Sequence, residues 1–514
     1  MDLRLVPDAP MTHPKSGQAG DSSPIRWHGV NVTNPASTPT TNQNPGPEPV
    51  RTLLILGASG DLTGRLLLPG LGKLIAQGRT HGLKLVGAGS DDWDTARWRD
   101  RVGAAFTDCA GNANDAGRQD LRSVQERTEY HVVDVTADGA LARLIGSVEA
   151  PVAVFFALPP AVSQKACELL KPQDLPAGTC LVLEKPFGTS QESAASLNRT
   201  LLSLVPEDRV HRVDHFLGKA TVFNILGLRF ANRLLEPLMN NLHVEKVEIF
   251  YDESLALEGR ARYYDKAGAL RDMIQSHLLQ IMALMAINAP ASLTERDLRD
   301  HIGSVLRASS VNPDYARSTR RARYTAGQID GRDVPDYAAE DGVDPARDTE
   351  TLAEIEVSVN NFRWAGVPFI LRSGKALGEQ QKEAIVTFKP VQVPVGFKGV
   401  DAPTRLRVGF GPETLQLEID VNAPGDLFTL DRVALEAAMH APDLLPYGEV
   451  LEGVLRGDPL LSVRGDIAED CWRIVEPVLK AWAAGDVPLE EYKAGSSGPQ
   501  GWETSRPDRA LPRK

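Results

Sequence analysis

Short apolar runs, each suited to a buried strand of a parallel sheet, recur through the first half of the chain. They lie at residues 51–56, 83–87, 130–133, 152–157, 180–183 and 209–213. Helical patterns follow some of these runs, at residues 137–145 and 165–170. Repeated strand–helix units predict a Rossmann-like, doubly wound parallel sheet that ends near Val213.

The pattern changes after Gly218. A strand is predicted at 244–251, and a long helix at 265–287, where apolar residues recur at helical spacing. A polar connection at 312–350 precedes strand-like runs with few helices between them, at 354–359, 368–372, 384–388, 406–410 and 414–419. Closing helices are predicted at 431–437, 447–455 and 466–484. This half is therefore predicted to be an α+β domain with a large, mainly antiparallel sheet and flanking helices.

These patterns predict four segments. Residues 1–49 are rich in Pro, Thr, Ser, Asn and Gln and are expected to form a disordered tail. Residues 50–213 form the predicted dinucleotide-binding domain and 214–494 a second domain, whereas 495–514 are expected to be a loose end.

Charge and cysteine content narrow the function. The net charge of -12 argues against nucleic-acid or acidic-membrane partners, while allowing an anionic small substrate in a local basic pocket. The four cysteines are scattered without metal-site spacing, so we expect free thiols in a reducing cytoplasm and no metal site. An apolar run of about 18 residues and a signal-peptide pattern are both absent, so we expect a cytoplasmic protein.

A glycine turn follows the first apolar run and opens a helical pattern. It comprises Gly57, Ala58, Ser59, Gly60, Asp61 and Leu62. Glycines at such a turn let the backbone approach a pyrophosphate, and the helix N-terminus attracts its charge. The turn has only part of the full GxGxxG pattern, so on its own it is a weak signal. Pro69, inside the expected helix, predicts a kink or an early stop.

The second strand ends where an adenosine ribose would lie. Ser90, Asp91 and Asp92 stand there, and a carboxylate favours the free 2′-hydroxyl of NAD, whereas the 2′-phosphate of NADP requires Arg. Arg97 and Arg99 are close enough in sequence to reach back. The local pattern therefore favours NAD modestly.

Residues 212–219, RVDHFLGK, place an acid, an imidazole and two kinds of cation directly after a predicted strand. Strand ends are where α/β proteins hold chemistry, but local charge clusters are usually solvated turns. Two further residues have similar alternatives. Lys185, at another strand end, could orient a polar ligand or belong to an ordinary turn, and His277 lies on the apolar stripe of the long helix. A buried His is most often part of the core, yet it needs a hydrogen-bond partner, for which Asp214 is a candidate.

Together these segments resemble the glucose-6-phosphate dehydrogenase family over residues 50–500. The motifs occur in family order: GASGDL at 57–62, EKPFG at 184–188, RVDHFLGK at 212–219, LRD at 270–272, HLLQ at 277–280, VPFILRSGK at 367–375 and GSSGP at 495–499. The resemblance implies oxidation of glucose 6-phosphate to 6-phosphogluconolactone by a nicotinamide coenzyme, the first step of the oxidative pentose phosphate pathway. The family default is NADP. The second domain would then bind substrate and form a homodimer or homotetramer.

The resemblance also assigns roles to individual residues. His277 would be the catalytic base, oriented by Asp214. The remaining assignments cover the substrate phosphate, the sugar and the coenzyme: His215, Lys219 and Lys375 for the phosphate, Glu253 and Asp272 for sugar hydroxyls, Lys185 for sugar and coenzyme, and Gly57, Ser59, Gly60, Asp61, Leu62 and Ser90 for the coenzyme. Pro186 matches a proline that the family holds in cis.

Four positions depart from the family pattern. Phe216 replaces Tyr, Leu66 and Gln380 replace basic residues, and Ser90 replaces the Arg that meets the 2′-phosphate. Each lost charged hydrogen bond is worth about 1.5–3 kcal/mol. Two alternatives therefore stand beside the first hypothesis: a dehydrogenase of a related hexose or sugar phosphate, and a catalytically silent coenzyme-binding regulator.

Overall fold

The structure is a computed structural model that describes residues 48–111, 113–439 and 444–502. The predicted tail, apart from its last two residues, and residues 503–514 lie outside the described residues. No helix in the described ranges is long and apolar enough to cross a membrane.

The first half of the described chain contains a six-stranded, wholly parallel sheet. Its strands are β1 (Thr52–Leu56), β2 (Lys84–Gly89), β3 (Glu129–Val132), β4 (Val152–Phe156), β5 (Cys180–Glu184) and β6 (Val210–Val213). Their order in the sheet is β3-β2-β1-β4-β5-β6, so the direction of the winding reverses between β1 and β4. The strands coincide with the predicted apolar runs because a strand covered on both faces buries every side chain, as β1 does. The doubly wound sheet is confirmed.

Helices connect these strands. They are α1 (Leu68–Ala76), α2 (Thr95–Ala110), α3 (Asp115–Arg127), α4 (Ala140–Ser147), α5 (Pro160–Glu168) and α6 (Gln191–Leu204). A π-helical turn, Thr63–Leu67, precedes α1. The early stop predicted at Pro69 is wrong, because α1 runs through Pro69 to Ala76; the chain is already helical before this residue and changes from a π-helix to an α-helix next to the proline, which has no N–H to donate.

The second half forms a large mixed sheet and a separate hairpin. The strands of both are β7 (Val244–Asp252), β8 (Ser309–Val311), β9 (Thr319–Thr325), β10 (Gly327–Ile329), β11 (Arg332–Val334), β12 (Leu352–Val359), β13 (Pro368–Gly374), β14 (Gln381–Phe388), β15 (Lys398–Gly399), β16 (Arg405–Gly409), β17 (Thr414–Asn422), β18 (Thr429–Ala438) and β19 (Leu489–Lys493). The hairpin is β10–β11, and the main path is β15-β18-β17-β16-β14-β7-β13-β12-β9-β19, with β8 beside β12. Most neighbours are antiparallel, as predicted, but three pairs run parallel: β7 with β13, β9 with β19, and β15 with β18.

Two predictions for this half are wrong. The segment 431–437, expected to be helical, lies in β18 and pairs with β17 along its whole length. Leu, Glu and Ala favour a helix locally, and the long hairpin pairing overrides that preference. The connection at 312–350 contains β9, whose Ala322 and Tyr324 are fully buried, whereas Arg320, Arg323 and Thr325 are half-buried.

Helices cover the second sheet and its junction with the first. They are α7 (Ala220–Phe230), α8 (Ala261–Ala269), α9 (Leu279–Ala286), α10 (Glu295–Arg307), α11 (Tyr315–Ser318), α12 (Pro446–Arg456) and α13 (Gly465–Ala484). The single helix expected over 265–287 is interrupted at Gly268, where φ is 70°, and continues as a π-helix over Leu270–Leu278. The predictions that became α12 and α13 are confirmed.

The start of the predicted loose end is packed. Trp502 is 3% exposed, and its indole N–H donates to Glu490 at 3.1 Å. The Ser497 carbonyl accepts from Arg372 at 3.2 Å. The expectation of a loose end is therefore wrong for residues 495–502, because buried apolar and polar contacts hold them against the large sheet.

Candidate active site

The ends of four strands supply four of the predicted site residues. Lys185 follows β5 and Asp214 follows β6, two parallel neighbours whose carboxyl ends lie at the same edge of the first sheet. Glu253 follows β7 and Lys375 follows β13, which are parallel neighbours in the second sheet. The carboxyl ends of parallel strands are the usual location of α/β binding sites.

Asp214 and His277 form a buried pair across 63 residues of sequence. The imidazole Nδ1 lies 2.5 Å from Asp214 Oδ1, and the backbone N–H of Phe216 donates to the same oxygen at 2.9 Å. His277 is 1% exposed and Asp214 is fully buried. The carboxylate accepts the Nδ1 proton, so the lone pair of His277 lies on Nε2.

The charges of this pair follow from burial. Burial lowers the pKa of His277 and outweighs the opposite effect of the Asp214 carboxylate, so the imidazole is neutral near pH 7. Burial alone would raise the pKa of Asp214, but its contacts with His277 lower it to about 2. An ionised acid beside a neutral imidazole is the arrangement that a general base requires.

Two aromatic side chains fix the plane of the His277 ring. Phe216 stacks on it with ring centroids 4.0 Å apart and planes 14° apart, and His215 meets its face edge-on at 4.9 Å. His215 also stacks on the ring of Tyr447 in α12, with the ring centroids 5.5 Å apart. The departure at Phe216 therefore removes a hydroxyl but preserves the packing that orients the base.

Lys185 is anchored on the π-helical segment. Its ammonium donates to the Asp272 carboxylate at 2.8 Å and to the Asp272 carbonyl at 2.6 Å, and the Tyr263 hydroxyl donates to the same carboxylate at 3.0 Å. Burial lowers the pKa of Lys185, but Asp272 outweighs it and raises that pKa overall. The Lys185–Pro186 bond is cis, as the resemblance implied.

Lys219 and Lys375 lie on either side of a cluster at the second sheet. Lys375 donates to Glu253 at 2.8 Å, and Lys219 donates to the Tyr251 hydroxyl at 3.3 Å. Burial, together with the charge of Lys382, lowers the pKa of Lys219 to about 8. Burial lowers the pKa of His215 to about 3, so it is a neutral hydrogen-bonding group. These groups can hold a phosphate by charge and by hydrogen bonds.

The coenzyme turn has the close approach that the sequence predicts. Gly57 has φ 81°, and a Cβ there would collide with the Ala157 carbonyl oxygen. The Gly60 N–H and the Thr63 hydroxyl both donate to the Gly57 carbonyl, at 3.0 and 3.1 Å. Such a turn, directly after the carboxyl end of β1, fits the pyrophosphate of a dinucleotide.

The other residues assigned to the turn line its solvent side. Ser59 is half-buried near Tyr130, Asp61 is exposed and pairs with Arg65, and Leu62 is half-buried. Leu66, where a basic residue was expected, is 43% exposed.

Ser90 and Asp91 are exposed at the carboxyl end of β2. Nearby, the Arg97 guanidinium lies 4.3 Å above the Trp93 ring. Arg99 instead donates to the Thr128 carbonyl at 3.2 Å and is engaged there. Of the two arginines that could reach back, only Arg97 lies beside the ribose end of the strand.

Sequence reasoning missed a buried acid behind His215. Glu184 is half-buried with its Oε1 atom out of contact with solvent, its carboxylate interacts with the Tyr447 hydroxyl, and burial raises its pKa to about 8. Glu184 belongs to the EKPFG motif, so the sequence already marked it as a candidate site residue. No motif marked Tyr447, which lies more than two hundred residues away on α12.

Two family models match the chain in the order of its two sheets. The glucose-6-phosphate dehydrogenase NAD binding domain matches residues 54–224, and the C-terminal domain of the same family matches residues 226–507. Both family domains are therefore present.

Proteins of similar sequence and solved structures of similar fold point to the same family. A glucose-6-phosphate 1-dehydrogenase of Gluconobacter oxydans is 37% identical over 468 residues, covering 87% of this chain and 94% of the relative. A Bacillus subtilis enzyme of the same name is 33% identical, covering 90% and 96%. The crystal structure of the Mycobacterium avium enzyme is 31% identical with a TM-score of 0.76, covering 88% and 95%. A glucose-6-phosphate dehydrogenase solved with its substrate is 26% identical with a TM-score of 0.80, covering 89% and 97%. The chain belongs to the glucose-6-phosphate dehydrogenase family.

Proposed function

We propose that this protein oxidises glucose 6-phosphate at C1 to 6-phosphogluconolactone, the first step of the oxidative pentose phosphate pathway. The observation that carries the proposal is the buried Asp214–His277 pair, near which the ammonium groups of Lys185 and Lys219 lie. A nicotinamide coenzyme, when bound, accepts hydride at C4 of its ring. The C1 hydroxyl proton goes to His277 Nε2 as the C1–H bond breaks and the carbonyl forms.

Each remaining residue has a positioning or binding role in this proposal. Asp214 holds the imidazole in the tautomer with a free Nε2 and stabilises the imidazolium. Lys185, fixed by Asp272, would contact both the sugar and the coenzyme. His215, Lys219 and Lys375 bind the phosphate, and Glu253 and Asp272 accept hydrogen bonds from sugar hydroxyls.

The direct test is the absorbance of the reduced nicotinamide. We expect it to rise when the protein is mixed with glucose 6-phosphate and NADP or NAD. A flat trace with both coenzymes would rule out the proposed reaction.

A second candidate is a dehydrogenase of a related hexose or sugar phosphate. Phe216 and Gln380 favour it, because each removes a group that the family directs to the phosphate. A panel of hexoses and hexose phosphates decides between the two: a higher kcat/KM for another sugar would replace glucose 6-phosphate. A silent regulator is disfavoured by the intact geometry of Asp214 and His277.

We propose that the enzyme accepts NAD as well as the family default, NADP. Ser90 cannot form an ion pair with a 2′-phosphate, and Asp91 beside it favours a free ribose hydroxyl. Ser90→Arg should therefore raise the NADP-to-NAD ratio of kcat/KM by about tenfold, the value of one charged hydrogen bond. Steady-state kinetics with both coenzymes measure this ratio. Ser203→Arg, at an exposed position of α6, is the matched control, and an equal ratio for Ser90→Arg and wild type would contradict the assignment.

The titration of Lys219 should appear in the pH profile. Its ammonium form binds phosphate and is present below a pKa of about 8, so kcat/KM for glucose 6-phosphate should fall as pH rises through that value. The same profile with free glucose should lack this fall, because free glucose has no phosphate to bind. An identical alkaline limb for both sugars would show that another group titrates.

Oligomeric state and location remain proposals. We propose a homodimer or homotetramer formed through the large sheet, where Val421 and Leu435 on β17 and β18 are 37% and 57% exposed. Light scattering gives the mass in solution. Cytoplasmic location remains a prediction, as do the domain bounds and the absence of nucleic-acid and membrane partners.

A further inference from the structure

Tyr251 and Lys382 are directly opposed across two strands of the large sheet. They are register partners in the antiparallel pair β7–β14, so their side chains project from the same face. Tyr251 is 9% exposed, and the Lys382 ammonium lies 4.8 Å from the centre of its ring. Neither residue has a role in the mechanism described so far.

Both side chains reach the groups that hold the phosphate in the proposed function. The Tyr251 hydroxyl accepts a hydrogen bond from Lys219 at 3.3 Å. Lys382 donates to one oxygen of Glu253 at 3.4 Å, while Lys375 donates to the other at 2.8 Å. Lys219, Lys375 and Lys382 therefore converge from α7, β13 and β14 on one small volume.

The charges in this volume suit a dianion. Lys375 and Lys382 share the Glu253 carboxylate, whose charge also acts on Lys219, and Lys382 contributes to the lowered pKa of Lys219. The carboxylates of Asp214 and Glu413 also act on Lys219, but Asp214 is paired with His277. A bound phosphate would relieve the repulsion among the lysines and form strong, charge-assisted hydrogen bonds with them.

The same two residues stand beside the departures from the family pattern. The Phe216 ring lacks a hydroxyl. The Tyr251 ring, on β7, lies 5.0 Å from the Phe216 ring and brings a phenol hydroxyl to Lys219. Gln380 is exposed, and its amide donates to Ser254 at 3.0 Å, whereas Lys382, two residues later, faces the cluster. The hydroxyl and the cation that the motifs lack are thus present from other positions.

We propose that the Tyr251 hydroxyl and the Lys382 ammonium bind the phosphate of the substrate directly and determine its preference for a phosphorylated sugar. The inference rests on the proposed function, because it takes the phosphate site to be the volume between Lys219 and Lys375. In the free enzyme, the Tyr251 hydroxyl accepts from Lys219. In the complex, it donates its own proton to a phosphate oxygen.

The test is the ratio of kcat/KM for glucose 6-phosphate to that for free glucose. Tyr251→Phe keeps the ring and removes only the hydroxyl, and Lys382→Gln keeps most of the length and removes the charge. Each change should lower the ratio by about tenfold or more, because each removes one hydrogen bond to a charged group. Most of the loss should appear as a higher KM for glucose 6-phosphate and not as a lower kcat.

Lys389→Gln is the matched control, since Lys389 follows the opposite end of β14 and donates to the Asn241 carbonyl. It should leave the ratio unchanged. Equal ratios for wild type and Tyr251→Phe would overturn the role of the hydroxyl, and equal ratios for wild type and Lys382→Gln would overturn that of the ammonium.

A binding measurement separates this inference from the proposed reaction. Inorganic phosphate, titrated by calorimetry into the full chain without coenzyme, should bind wild type about tenfold more tightly than either variant. If wild type fails to oxidise glucose 6-phosphate yet shows this difference, the reaction is wrong and the phosphate site stands. If all three proteins bind phosphate equally, the site is wrong whatever the reaction.

Discussion

His277→Ala should lower kcat by about 100-fold or more, because the C1 hydroxyl proton then has no positioned acceptor. This loss corresponds to about 2.7 kcal/mol in the activation free energy. The affinity for glucose 6-phosphate should change much less, because in the proposed function the lysine cluster, and not His277, binds its phosphate. Turnover is measured at saturating substrate, and substrate affinity by equilibrium titration.

His243→Ala is the control, because His243 is an exposed histidine at the start of β7 and lies outside the site. It should retain wild-type turnover. A His277→Ala enzyme with a kcat within a fewfold of wild type and an unchanged melting temperature would refute the role of His277 as the base. The melting temperature matters because the change also removes a buried ring that packs against Phe216.

Asp214→Asn should lower kcat on the order of 10³-fold, although the side chain keeps its size. An amide can present N–H to the imidazole, which favours the tautomer with its proton on Nε2, and a protonated Nε2 cannot act as the base. The carboxylate also raises the pKa of His277 against the effect of burial, so its loss lowers that pKa further. The rising limb of kcat/KM, where His277 loses its proton, should move to lower pH in the variant.

The control for this change is Asp208→Asn, an exposed acid before β6. It should leave both the rate and the position of the acid limb unchanged. If Asp214→Asn loses activity while its acid limb stays in place, then Asp214 supports the fold of the site and does not set the protonation of His277.

Much of the first sheet could be predicted from the sequence, because buried parallel strands are continuous apolar runs that need no partner to be recognised. The strand β18 could not, because its residues favour a helix and only pairing with β17 makes it a strand. Gly268 looked like an ordinary helix residue. Its positive φ is set by tertiary packing, where a Cβ would collide with the Glu350 carboxylate.

The candidate site was predictable to a different extent. The suggestion that Asp214 is the partner of His277 came from the cost of burying an imidazole, and the contact confirms it. The tyrosine and lysine opposed across β7 and β14 could not be predicted. Their proximity depends on strand register, which local sequence does not encode for strands that are far apart along the chain. Residue patterns therefore identify site residues that lie in or next to a motif. They miss side chains that reach the site only through strand pairing.

The π-helical segment at Leu270–Leu278 sets the direction of His277, the proposed catalytic base. In an α-helix of 3.6 residues per turn, Asp272 and His277 would point about 140° apart. Hydrogen bonds between residues five apart instead turn such residues towards the same side of the helix. The acid that fixes Lys185 and the imidazole that takes the proton can thus face one cleft. The direction of the His277 side chain therefore depends on the number of residues in this turn. Removing one residue would redirect the imidazole without altering any of its atoms.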